Sequence, residues 1–74
     1  SEMISVINRI DNRLTLHDFR VVRGPTHTNV IFDVVVPRDI GFADKELKEK
    51  IDEMFRINNE NCNTVITFDR SYIG

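Results

Sequence analysis

The first apolar positions, Met3, Ile4, Ile7, Ile10 and Leu14, recur at intervals of one, three, three and four residues. That spacing places them on one face of a helix. The helix is expected over 1–14, closing where Asp11, Asn12 and Arg13 crowd its end and the pattern changes at Thr15. From Leu16 the period falls to two: His17, Phe19 and Val21 share one side, and Asp18, Arg20 and Val22 the other, as in a strand. Gly24-Pro25-Thr26-His27 then punctuates two β-like runs and reads as a hairpin turn. Asn29 to Val36 is apolar on both sides, with Val30, Phe32, Val34 and Val36 opposite Ile31, Asp33 and Val35. Such a strand calls for burial on both faces. Pro37 closes it, because proline cannot donate to a sheet ladder, and Arg38-Asp39-Ile40-Gly41 forms the connection.

A second helix follows, with Asp44 as its expected N-cap and Leu47, Ile51, Met54 and Phe55 along one face. Lys45/Glu49, Glu46/Lys50 and Asp52/Arg56 stand four apart as opposite charges on its solvent side. Asn58-Asn59-Glu60-Asn61 ends it, and Cys62 to Tyr72 returns to a period of two, with Val65, Thr67 and Asp69 opposite Thr64, Ile66 and Phe68. The order is α-β-β-α-β, an α+β fold in which both helices pack on one face of a three-stranded sheet. The other face is left bare. Because its central strand is apolar there too, the economical cover is a second copy of the chain about a two-fold axis, a homodimer.

Length and composition sharpen this picture. Seventy-four residues make one domain, expected over 1–74. With 41% hydrophobic and 30% charged residues the chain should fold as a soluble globule, but a core of this size is marginal and invites help from a partner or a metal. Ten Lys and Arg against twelve Asp and Glu give a net charge of −2, which removes the electrostatic drive for nucleic-acid binding. A lone cysteine, Cys62, cannot form an internal disulfide and points to a reducing compartment. There is no apolar run long enough to span a bilayer and no signal-peptide pattern. The opening Ser1-Glu2-Met3 fits an internal segment excised from a longer chain.

The candidate chemistry lies on the strands. A carboxylate embedded among Ile31, Phe32, Val34 and Val35 is costly to bury unless it is paired, hydrogen-bonded or bound to a cation, so Asp33 needs company. A salt bridge to Arg20 or Arg23, or exposure at the sheet rim, is one answer. A metal site with His17 and Asp69 is the other: one nitrogen and two carboxylates suit zinc, manganese or ferrous iron. His27 at the hairpin tip reads as a turn histidine, with a peripheral ligand as the alternative. Cys62 lacks the histidine spacing and oxyanion loop of a nucleophile and reads as a small, partly buried residue. Met3, Met54 and Phe55 read as packing residues. No glycine-rich phosphate loop is present, and the chain does not read as an enzyme.

The ordered runs LHDFRVV, TNVIFDVVVP, DKELKEKIDEMF and VITFDRSY, spanning Leu16 to Tyr72, resemble the C-terminal cytoplasmic domain of cation diffusion facilitator transporters. The resemblance implies a metallochaperone-like, ferredoxin-like α-β-β-α-β fold that follows a transmembrane domain, faces the cytoplasm and dimerises. It implies a regulatory divalent ion near the dimer interface, zinc foremost with manganese, iron, cobalt or cadmium also fitting, and transport by exchange of metal for protons. By position, His17 matches the histidine that opens the motif, Asp33 the acid or histidine of the second strand, and Asp69 the terminal aspartate of the third. Thr67 departs from members that carry a histidine there, so a weaker site is expected, completed by water, His27 or the second protomer. Two other readings stand beside this one: a purely structural dimerisation module, and a complete small metal-carrier protein.

Overall fold

The computed structural model describes residues 2–56 and 60–70. Its elements are α1 (Glu2–Ile10), β1 (Thr15–Arg23), β2 (Thr28–Val36), α2 (Asp44–Arg56) and β3 (Cys62–Arg70). The α-β-β-α-β order is the one the periodicity predicts, in an α+β, ferredoxin-like arrangement. β2 is central in a mixed sheet of order β1-β2-β3, antiparallel to β1 and parallel to β3. The parallel pair requires a crossover, and α2 supplies it. Asn58, Asn59, the Arg56 side chain, Ser71 and Tyr72 lie outside the described residues.

α1 differs from expectation in length and in face. It ends at Ile10 rather than Leu14, because the Asp11 carboxylate accepts the Arg13 backbone N–H at 2.9 Å and draws the chain into a turn. Leu14 is nevertheless buried, carried into the core by that turn. The inward stripe is Met3, Val6, Ile7 and Ile10, while Ile4 stays 48% exposed. This is the i, i+3, i+4, i+7 spacing of an amphipathic helix, rotated from the face that Met3 and Ile4 suggest together.

α2 begins one residue earlier than a cap at Asp44 would place it. Ala43 holds the cap position, its carbonyl accepting from the Leu47 N–H at 3.0 Å and its own N–H donating to Glu46 Oε1 at 3.2 Å. This is the glutamate half of a capping box. Asp44 is the first helical residue, and its carboxylate takes the Arg70 guanidinium at 2.9 Å, tying the end of β3 to the start of α2. Arg70 also donates to the Phe42 carbonyl at 2.6 Å. Lys45/Glu49 and Glu46/Lys50 do not close among the described residues. Glu46 is used at the cap, and Lys50 lies over the Phe42 ring, 4.8 Å from its centroid. The pair that forms on α2 is Lys48–Asp52 at 2.6 Å.

The core lies between the two helices and the near face of the sheet. Val30, Phe32, Val34 and Val36 line up from β2 against Ile7, Leu14, Ile40, Leu47 and Ile51. Phe32, Leu47 and Ile51 are fully buried, and each such side chain contributes about 1.5–3 kcal/mol by leaving water. Phe32 is packed edge-on by Phe55 and face-on by Phe19, both at 6.3 Å between ring centroids. At the hairpin, the Gly24 N–H donates to the His27 carbonyl at 2.8 Å, and a Cβ on Gly24 would meet that same oxygen at 2.8 Å. Glycine is therefore the residue this turn accommodates.

β1 departs from simple alternation. His17 pairs with Asp33 but Arg20 pairs with Ile31, so Asp18 and Phe19 together face Phe32 across a β-bulge. Asp18 takes φ 54°, a left-handed conformation that aspartate tolerates better than most residues. The extra residue inverts the faces that follow it. Phe19 packs on the core, while Arg20 joins His17 on the far side of the sheet, which corrects the alternation that grouped His17 with Phe19 and Val21.

Candidate metal centre on the open sheet face

Neither helix covers the far face of the sheet. It is built in rows by the strand register: Val22, Asn29 and Asn63; Arg20, Ile31 and Val65; His17, Asp33 and Thr67; Thr15, Val35 and Asp69. Val22 and Val65 are each about half exposed, at 51% and 49%, and Asp33 is half-buried between Ile31 and Val35.

His17, Asp33 and Asp69, the three residues singled out from the sequence, all lie on this face. Together with Asp18, Val35, Thr67 and Phe68 they line one open depression of about 560 Å³. His17 and Asp33 are direct cross-strand neighbours, and Asp69 lies one row farther along β3, opposite Val35. The His17 ring is oriented by its Nε2, 3.1 Å from Thr15 Oγ1. Neither Asp33 nor Asp69 has an ion pair or side-chain hydrogen bond among the described residues. The salt bridge from Asp33 to Arg20 or Arg23 does not form. The bulge sets Arg20 in the neighbouring row, and Arg23 pairs at the far end of β2 with Thr28.

The donor set fits a divalent cation in kind, since an imidazole and two carboxylates match the preferences of zinc and its neighbours. Within one protomer it is open. Among the described residues no three His, Cys, Asp or Glu side chains converge to hold a metal ion. The reason is spacing, because His17 and Asp69 stand on the two outer strands, about 10 Å apart at the usual strand separation. Thr67, in the row of His17 and Asp33, offers a hydroxyl, a weaker metal donor than an imidazole.

His27 is not brought to this depression. It sits exposed at the hairpin tip with Nδ1 2.9 Å from Thr26 Oγ1, about 20 Å along β2 from Asp33 at the usual rise per residue. Cys62 is partly buried at the start of β3. Asp18 is the lining residue that alternation missed. On simple alternation it falls opposite His17, and only the bulge turns it to the same depression.

A second polar cluster is structural. Thr64, 8% exposed, donates its hydroxyl to Asp52 in a short hydrogen bond, and Lys48 closes on the same carboxylate. The buried hydroxyl is thereby satisfied and α2 is fixed to β3. Among the described residues no helix is long and apolar enough to cross a membrane. Comparison of the chain with models of known protein families, with curated proteins and with solved structures returns no match.

Proposed function

We propose that this chain is the cytoplasmic regulatory and dimerisation domain of a divalent-cation efflux transporter of the cation diffusion facilitator type. It binds zinc or a related ion through His17, Asp33 and Asp69 near the interface of a homodimer. The observation that carries the reading is the clustering of these three residues around one depression on a sheet face that the chain's own helices leave uncovered. Acids on that face repel one another when two copies approach, and a divalent cation replaces the repulsion with shared coordination. Metal binding then favours the closed dimer by its differential affinity for that state, and the closed dimer favours the transport-competent arrangement of the membrane domain. Zinc is expected to raise the Tm of the metal-stripped chain, and Asp33→Asn with Asp69→Asn to abolish the rise. A Tm that ignores zinc contradicts the reading.

A second reading, a dimerisation module without metal, draws on the lack of three converging ligands among the described residues of one protomer. It predicts an unchanged Tm with zinc.

A further inference from the structure

The open face is self-complementary in charge along the strand direction. Its Asp33 and Asp69 end is acidic, and one row from Asp33 it carries Arg20 beside Ile31 and Val65. Neither Arg20 nor Asp33 has an ionic partner among the described residues. Arg20 is on this face only because of the bulge, since regular alternation from His17 would have turned it to the core side.

Two dyads can bury the face against a second copy. An axis along the strands sets Asp33 over Asp33 of the copy, a like-charge contact that needs a cation between the two. An axis perpendicular to the strands, passing between the Arg20 and Asp33 rows, sets each row over the other. Arg20 then has only one strand spacing to cross, about 4.8 Å, to reach Asp33 of the copy. Val22 and Val35 are covered in the same arrangement.

We propose that without metal the chain self-associates in this second, antiparallel manner, with the Arg20 guanidinium of each copy on Asp33 of the other. Arginine suits this role because its charge is permanent and its planar fork binds a carboxylate through two hydrogen bonds. Arg20 thus occupies the carboxylate that a cation would need, so the metal-free pairing and a cation compete for Asp33. The inference rests on the open face being the self-association surface, and its metal-free part stands whether or not the face binds metal.

Sedimentation equilibrium of the 74-residue chain in chelator tests it. The dimer is expected to weaken by about tenfold or more in Arg20→Glu and again in Asp33→Arg, and to recover in the double variant R20E/D33R, whose charges are exchanged. Arg20→Gln, a neutral change at an exposed position, keeps the test independent of folding defects and should weaken the dimer in the same direction. A chain that remains monomeric in chelator, or an R20E/D33R variant no tighter than its singles, overturns the proposal. Zinc titration of the unmodified chain is read separately. Recovery in the charge exchange without any response to zinc keeps this inference and removes the metal reading.

Discussion

Asp18 is the one residue with a positive φ among those described, and its conformation decides which side chains reach the open face. Asp18→Gly removes the steric cost and should leave the urea midpoint unchanged or slightly raised. Asp18→Val, branched at Cβ, should lower stability by about 1–2 kcal/mol. Thr64 and Asp52 make a different kind of residue-scale claim. Asp52→Ala leaves a buried hydroxyl without its acceptor, so a loss of about 1–3 kcal/mol is expected in urea unfolding. At this scale His17, Asp33 and Asp69 were legible in the sequence, because a carboxylate among β-branched residues and a histidine opening a strand stand out from their surroundings. The bulge was not legible. An aspartate within a strand pattern does not by itself mark a bulge, and its left-handed excursion is settled by pairing with β2 rather than by anything adjacent in the chain.

The elements themselves followed from periodicity, and their errors have local causes. α1 stops at Ile10 because Asp11 finds a competing partner in Arg13. The α2 cap falls on Ala43 because Glu46 reaches back to it, so the acid chosen by composition, Asp44, is free to receive Arg70. Charge pairs were harder to read, since on α2 an i, i+4 count offers more pairings than form and the neighbouring strand decides among them. Lys48–Asp52 prevails where Thr64 can join. The turn after α1 carries a titration signature. Hydrogen bonding to the Arg13 side chain, then to its backbone N–H, holds the Asp11 carboxyl below its ordinary 3.8. A depressed folded pKa means that this interaction supports the fold above the unfolded value and is lost as pH falls through the lower, folded one. An NMR titration should therefore place the Asp11 midpoint below 3.8, and Arg13→Gln should move it upward.

For the whole molecule, the marginal core and the uncovered sheet face belong to one argument. Phe32 is fully buried at the centre of β2 and touched by two other rings, so Phe32→Ala should cost about 3–5 kcal/mol. In a domain this small that approaches the whole stability, and the far-UV signal of the variant should be lost at ordinary temperature. Helices and near face together satisfy that core, while the far face keeps half-exposed valines and, in register, an arginine and two carboxylates that have no ionic partner among the described residues. The central claim is that those carboxylates and His17 form a divalent-cation site. The most direct measurement is isothermal calorimetry of zinc into the metal-stripped chain and, in parallel, into His17→Ala. Saturable binding that weakens by about tenfold or more in the variant, near 1.4 kcal/mol, is the result predicted. No heat with the unmodified chain, or the same isotherm for both, would contradict it.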